Sequence, residues 1–240
     1  MAKERYHHGD LRGALLDAAE TLVRERGADG WSLREVSARV GVSPSAAYHH
    51  FGSRDALVSV LSEVVLARLG NRLRDAVEAA QEQGPGRLAA CGRAYVTWAV
   101  EDAAVARLVF RGGATTAQST ISPHPHDVLT SELDRLTESG HLPPGARPGA
   151  EFVVWAAIHG LAVLLIDGLV HIDDREGVER QTDRLVFATF NGLARETAPE
   201  PDRPTPTTTH TRRLTQSRAP SLAPHTPSSG PRPEAAAEGL

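Results

Sequence analysis

The stretch from residue 32 to 55 constrains the fold most, because it reads as two short helices joined by a tight turn. Ser32 followed by Glu35 has the pattern of a capping box, in which each residue's side chain accepts the other's backbone amide. Gly41 suits the left-handed conformation that often ends a helix. The pair Ser43-Pro44 then supplies an N-cap and a first helical residue. The pattern predicts a helix-turn-helix, a unit that typically carries its second helix into the DNA major groove.

The second helix of this unit is predicted to have one buried side and one exposed side. Ala47 and Phe51 are spaced to lie together in the core, and Gly52 is predicted to end the helix. The candidates for DNA contact on the remaining faces are Ser43, Ser45, Ala46, Tyr48 and His49. Small side chains allow close approach to base edges, whereas Tyr48 and His49 are suited to donate to phosphates. For Tyr48, packing between helices remains an alternative.

Basic residues on either side of this helix are further candidates. Arg34, early in the preceding helix, is placed to reach a phosphate or a base, with a solvated arginine as the alternative. Arg54 and the start of its helix are predicted to form an anion site. Lys3 and Arg5 are predicted to follow the minor groove or backbone as an N-terminal arm, although an unstructured terminus fits equally.

These motifs resemble the DNA-binding region of the TetR family of bacterial transcriptional regulators. The segments that match this region are Ser32-Leu-Arg-Glu-Val36, Gly41-Val-Ser43, Tyr48-His-His-Phe51 and Arg54-Asp-Ala-Leu57. Upstream, Tyr6-His-His-Gly-Asp-Leu-Arg12 resembles the start of one branch of the family, and far downstream Trp155-Ala-Ala-Ile-His-Gly160 resembles an element of its C-terminal domain. Two positions depart from the family's pattern, since Ala47 is smaller than usual and Arg54 stands where lysine is common. The resemblance implies a three-helix DNA-binding head, a C-terminal domain for ligand binding and dimerisation, and a small-molecule effector.

The chain divides into three predicted regions. Residues 1–52 form the DNA-binding head, residues 53–196 a helical body and residues 197–240 a tail. Apolar residues recur at helical spacing through the first two regions without a competing strand pattern, so the predicted fold class is all-α. The tail has nine prolines between Pro199 and Pro233 and few large apolar residues. Such a segment is predicted to be disordered.

The periodicity also predicts individual helices. The first helix ends at Gly27, and a long helix runs from Ser53 to Ala80 before a break at Gly84. Further helices are predicted over 87–100, 103–110, 126–139, 150–169 and 174–196.

The helix predicted over 150–169 is apolar nearly all round, so it must be covered on more than one side. By resemblance, it meets its two-fold mate in a four-helix bundle together with the closing helix. A homodimer would also place two heads on a palindromic operator. A buried helix in a larger monomeric core is the alternative.

Charge leaves the assignment of function open. Residues 1–60 carry eight Lys or Arg and eight Asp or Glu, and residues 61–196 carry 13 basic against 18 acidic residues. DNA binding must therefore depend on a few placed arginines, because phosphate contacts are local and screened. A small-molecule-binding or interaction protein without DNA function is the alternative to a ligand-responsive repressor.

Other functions find little support in the sequence. No set of nucleophile, base and metal ligands at recognisable spacing indicates an enzyme, a metal site or a cofactor. The longest apolar run is too short to cross a bilayer, so no membrane partner is predicted. The single cysteine, Cys91, fits a reducing compartment, so a cytoplasmic location is predicted. Weak candidates for contacting an effector are Trp98, Phe110, Trp155 and His159, for which core packing is the alternative.

Overall fold

The structure is a computed structural model that describes residues 10–111 and 122–196. Within these ranges the chain forms nine α-helices, one 3-10 turn at Pro144–Ala146 and no β-strand, which confirms the all-α fold. The helices are α1 (Leu11–Arg26), α2 (Leu33–Val40), α3 (Pro44–His50), α4 (Arg54–Ala79), α5 (Pro85–Glu101), α6 (Ala103–Arg111), α7 (Pro125–Glu138), α8 (Ala150–Ile166) and α9 (Arg175–Ala194). We call α1 to α3 the head and α4 to α9 the body.

The capping signals between α1 and α3 form as predicted. The Ser32 amide donates to the Glu35 carboxylate at 2.9 Å, and the Glu35 amide donates back to Ser32 Oγ at 3.3 Å. Gly41 has φ 80° and ψ 28°, the left-handed conformation that favours glycine. The amide of Val42 then donates to the carbonyl of Ser37 at 3.0 Å. This geometry closes α2 and turns the chain directly into α3.

The start of α3 was predicted correctly, but its end was not. Ser43 Oγ accepts the amide of Ala46 at 3.2 Å, as an N-cap should. The helix ends at His50, and Phe51 takes an extended conformation with φ −134° and ψ 111°, so Gly52 lies outside the helix. Phe51 is only 3% exposed, which confirms its predicted place in the core of the head.

The body is arranged around α5, which packs against α4, α7, α8 and α9. Its approach to α9 is close, because a Cβ built on Gly92 would lie 2.9 Å from Cγ2 of Val186. The predicted body helices all form, with most ends shifted by at most two residues. The exception is α8, which ends three residues early, at Ile166 rather than Leu169, because Gly168 adopts a left-handed φ of 70°.

Two apolar cores meet where the head joins the body. The core of the head includes Leu57 and Leu61 from α4 and Val105 and Val109 from α6, as well as side chains of α1 to α3. The second core lies within the body, and both Trp98 and Phe110 pack against the two cores. The head therefore rests on α4 and α6 through a continuous apolar contact. Among the described helices, none is both long enough and apolar enough to span a membrane.

Candidate DNA-binding surface and ligand cavity

The short α3 is anchored along one side and open along the other. Ala47 is 0% exposed and Phe51 is 3% exposed, so these two side chains fix the helix on the core of the head. Ser45 and His49 are exposed, and Tyr48 is 48% exposed although it is a large aromatic residue. The structure thus places these candidate residues on a solvent-facing surface, with Ala46 partly covered beside them. Tyr48 is not packed between helices.

The arginines of α1 and α2 differ in whether an acid neutralises them. Arg26 pairs with Glu35 at 2.5 Å, and Arg39 pairs with Glu25 at 2.8 Å. Arg34 is exposed, and among the described residues no carboxylate lies within ion-pair distance of it. Although the overall charge of the head is balanced, Arg34 on the helix before α3 is therefore available to a phosphate.

Arg54 occupies a position that the sequence did not suggest. Its guanidinium lies over the ring of Trp31, 4.4 Å from the centroid, and its Nη2 donates to the carbonyl of Ala28. The side chain is 27% exposed, and the carboxylates of Asp29 and Asp55 lie 3.9 and 3.7 Å from its nitrogens. These contacts hold the start of α4 against the loop between α1 and α2. A phosphate would have to compete with them.

One basic residue near α3 was not among the candidates for DNA contact that the sequence suggested. Arg12, in the first turn of α1, is exposed and lies 5.4 Å from the ring centroid of Phe51. Its only sequence signal was its place at the end of the Tyr6-to-Arg12 segment. Lys3 and Arg5 lie outside the described residues.

The body contains a small apolar cavity of about 40 Å³ between α4, α5, α7 and α8. It is lined by Leu66, Leu73, Cys91, Tyr95, His124, Pro125, His126, Leu129, Trp155 and Ile158. The volume exceeds that of one water molecule and is far below the several hundred Å³ of a typical ligand pocket. Of the four candidate effector residues, Trp155 lines this cavity. Burial raises the pKa of Cys91 to about 12, so its thiol stays protonated and neutral.

The segment before α7 carries His124 to the edge of the cavity. It approaches α4 closely, since a Cβ on Gly70 would lie 1.9 Å from the carbonyl oxygen of Pro123. His124 Nδ1 accepts the amide of His126 at 3.2 Å, which caps α7. Burial lowers the pKa of His124, which keeps the ring neutral. Its Nε2 is buried and has no hydrogen-bond partner among the described residues.

The other effector candidates form an aromatic cluster beside the cavity. Tyr95 is nearly parallel to Phe110 at 6.2 Å between centroids, and Phe110 meets His159 edge-on at 4.5 Å. His159 lies 6.1 Å from Trp155, and Trp98 lies 6.1 Å from both Tyr95 and Phe110. Tyr95 was not among the effector contacts predicted from the sequence, yet it belongs to the cluster and also lines the cavity. The cluster therefore connects the cavity wall with the two residues that touch the core of the head.

Ion pairs reinforce the junction between head and body. Glu20 of α1 is 5% exposed and accepts from Arg24 on its own helix and from Arg68 of α4, the latter at 2.6 Å. Arg24 also pairs with Asp102, just before α6, at 2.7 Å. A buried carboxylate is stable only when it is paired in this way. Glu20 thereby links α1 to the helix that contributes to the cavity wall.

The outer side of α8 and α9 carries an apolar groove. Small or apolar side chains of α8, Ala157, Gly160, Leu161 and Leu164, face Leu185 and Ala188 of α9 across it. Phe152, Val153, Leu164 and Phe187 on these helices are all at least 39% exposed. We call this surface the α8–α9 face. The helix α8 is therefore apolar also on sides that the body does not cover.

Known proteins share both parts of this architecture. Residues 15–61 match the family of bacterial regulatory proteins, tetR family, and residues 88–189 match the tetracyclin repressor-like C-terminal domain. The HTH-type transcriptional regulator BetI of Brucella canis is 33% identical over 69 residues, which cover 29% of this chain and 35% of BetI. The chain thus spans about a third of the length of these curated relatives.

Solved structures match over a longer range. A protein of unknown function from Rhodococcus sp. RHA1 superposes with a TM-score of 0.68 at 29% identity, covering 80% of this chain and all of that one. The TetR family transcriptional regulator PfmR from Thermus thermophilus has the same fold, with a TM-score of 0.54 at 20% identity over 75% of this chain and 99% of its own. Both domains of the family are therefore present in order, and the chain belongs to the TetR family of DNA-binding transcriptional regulators, whose members are not enzymes.

Proposed function

We propose that this regulator is a repressor that binds a palindromic operator as a homodimer and is released by a small molecule held in the body cavity. The observation that carries the proposal is α3, which is fixed by Ala47 and Phe51 and presents Ser45, Tyr48 and His49 to solvent. A helix held in this way can enter a major groove without losing its own packing.

Each exposed residue of the head has a distinct proposed role. Ser45 and Ala46 approach base edges, where the alanine methyl suits a thymine methyl. Tyr48, His49 and Arg34 bind phosphates, and Ser43 holds the first turn of α3 in shape. Lys3 and Arg5 remain proposed arm contacts, and for Arg54 we propose mainly that it positions the start of α4.

The homodimer is supported by the α8–α9 face. Its exposed aromatic and aliphatic side chains would be covered by the same face of a second copy, and its small residues would let four helices pack closely. A two-fold dimer presents two copies of α3, which can read half-sites about 34 Å apart.

The small size of the cavity supports release by an effector. We propose that a ligand larger than about 40 Å³ pushes apart helices that line the cavity, including α4, whose Leu57 and Leu61 lie in the core of the head. Such a ligand favours the widened conformation by the difference between its affinities for the two states. We propose that the widened state spaces the two copies of α3 incorrectly for the operator.

The DNA-binding test is capture of genomic fragments by the purified full chain, followed by sequencing and titration at several salt concentrations. A palindromic site and a steep, linear fall of log affinity with log salt are expected. Arg34→Ala should reduce the salt slope by about one, whereas Arg39→Ala, whose arginine already pairs with Glu25, should change it less. Tyr48→Ala should weaken binding to every sequence, and Ser45→Ala should alter sequence preference.

A chain that retains no fragment, or whose retention is insensitive to salt, contradicts the proposal. The near-balanced charge of the head would then favour the alternative, a small-molecule-binding or interaction protein without DNA function.

The dimer is tested by light scattering on matched variants. Leu164→Asp places a charge on the α8–α9 face, and Val100→Asp does so at a similarly exposed position on α5. The parent chain and Val100→Asp should both have the mass of a dimer at micromolar concentration, and Leu164→Asp that of a monomer. A monomeric parent chain would contradict the homodimer.

A further inference from the structure

We propose that the cavity takes a small, uncharged aromatic molecule with one carbonyl or ether oxygen, and that this oxygen accepts a hydrogen bond from Nε2 of His124. The inference rests on the proposed function, because it names the chemical class of the effector that the body cavity would hold.

The lining excludes a charged ligand. None of the ten lining residues is a lysine, arginine, aspartate or glutamate. The nearby carboxylate of Glu132 is occupied by Arg87, whose guanidinium makes two hydrogen bonds to it at 3.0 and 3.1 Å. A charged ligand would lose its hydration and find no opposite charge in return. The cavity therefore favours a neutral molecule.

His124 offers the one buried polar group around the cavity that lacks a described partner. Because its Nδ1 accepts the His126 amide, the proton of the neutral ring must lie on Nε2. That Nε2 is a buried donor, and no described residue accepts from it. The hydroxyl of Tyr95, by contrast, already shares a hydrogen bond with Nδ1 of His159 at 3.0 Å. A ligand that satisfies His124 must bring an acceptor, not only a donor.

The rings of the wall favour a flat, aromatic body for the ligand. Tyr95, His126 and Trp155 line the cavity together with four leucine or isoleucine side chains, and His126 stands edge-on to Trp155 at 6.0 Å. Aromatic rings pack well edge to face and in offset stacks. The cavity of about 40 Å³ limits the ligand to a compact molecule, one ring rather than several, since each further atom requires more displacement of the walls.

The test uses isothermal titration calorimetry of the full chain with three probes of similar shape: acetophenone, ethylbenzene and benzoate. Acetophenone has the acceptor, ethylbenzene replaces its carbonyl by a methylene group, and benzoate carries a charge. We expect saturable binding of the two neutral probes and none of benzoate below millimolar concentration. Benzoate binding more tightly than acetophenone, or no saturable binding of either neutral probe up to its solubility, overturns the proposal.

The role of His124 is read from a ratio of affinities. His124→Phe removes the donor and keeps a ring, whereas His124→Ser keeps an oxygen that can cap α7 if the first variant fails to fold. In either variant the affinity for acetophenone relative to ethylbenzene should fall on the order of tenfold, the effect of one buried hydrogen bond. His141→Phe, at an exposed histidine beyond the end of α7, should leave the ratio unchanged. An unchanged ratio in the folded His124 variants overturns the assignment of the donor.

The same samples separate this inference from the proposed function. Binding of acetophenone that depends on His124, in a chain that binds no DNA, supports the ligand class and contradicts the repressor. Release of a bound operator by benzoate but not by either neutral probe supports the repressor and overturns the ligand class.

Discussion

The hydroxyl of Tyr95 and Nδ1 of His159 lie 3.0 Å apart and join α5 to α8 inside the body. Burial raises the pKa of Tyr95 and lowers that of His159, so both groups are neutral. A single hydrogen bond joins them, in which one group donates and the other accepts. Because Tyr95 also lines the cavity, this bond fixes the orientation of one wall.

Tyr95→Phe should lower the free energy of unfolding by about 1–2 kcal/mol, because the half-buried His159 loses its hydrogen-bond partner. Tyr48→Phe is the matched control, since Tyr48 is 48% exposed and makes no hydrogen bond through its hydroxyl to a described residue. Urea unfolding of the three proteins measures the difference. Equal midpoints for the two variants would show that the Tyr95–His159 bond contributes no stability.

Arg54 should matter more for stability than for DNA affinity. Arg54→Ala removes the stack on Trp31 and the bond to Ala28, so it should cost about 1–2 kcal/mol. Arg54→Lys should not recover this, because an ammonium cannot both stack flat on the indole and reach the carbonyl. Arg34→Ala should leave the unfolding midpoint unchanged while it weakens DNA binding. A stable Arg54→Ala variant with greatly weakened DNA binding would return Arg54 to the phosphate-binding role.

The head could be predicted from the sequence because its determinants are local. Ser32, Gly41 and Ser43 act on amides and dihedral angles within a few residues, and each formed as the pattern required. Arg54 could not be predicted, since its direction depends on Trp31, which reaches it only through folding.

The cavity could be predicted only in part, for the same reason. Its lining comes from four helices, and Leu66, Cys91, His124 and Trp155 are far apart in the sequence. The apolar helix that carries Trp155 and His159 could be recognised in the sequence. No sequence pattern distinguished Tyr95 from a residue that only packs in the core. His124 can approach the cavity because residue 70 is a glycine, which leaves room for the backbone of Pro123 against α4. The periodicity of apolar residues does not encode such a contact.

Acidification should destabilise the body before it affects the carboxylates. Burial lowers the pKa of His124 and His159 below the ordinary 6.5, so the unfolded chain takes up protons at a higher pH than the folded one. The stability from these neutral rings is complete above about pH 6.5 and is lost as pH falls below it. Hydrogen bonds from Arg39 to Glu25 and from Ser32 to Glu35 lower the pKa of both carboxyl groups from the ordinary 4.5, so their contribution is lost only in more acidic solution.

The measurement is the urea midpoint between pH 8 and pH 5. It should fall through the lower half of that range in the parent chain and in His141→Gln, and less steeply in His159→Gln. A midpoint that stays flat down to pH 5 would mean that neither of these half-buried histidines resists protonation.

The paired Glu20 should be the strongest ionic contribution at the junction of head and body. Glu20→Gln keeps the size of the side chain but removes the charge that Arg24 and Arg68 share, and it should cost about 1–3 kcal/mol, the range for hydrogen bonds to charged groups. Arg68→Ala should cost less than about 1 kcal/mol, because Glu20 keeps Arg24 and because Arg68 is about half exposed. Arg74→Ala on the surface of α4 is the control, with a cost near zero. A double-mutant cycle between Glu20→Gln and Arg68→Ala gives the coupling directly. A coupling near zero would mean that the ion pair does not hold α1 to α4, and that the apolar contact of α4 and α6 with the head alone joins the two parts.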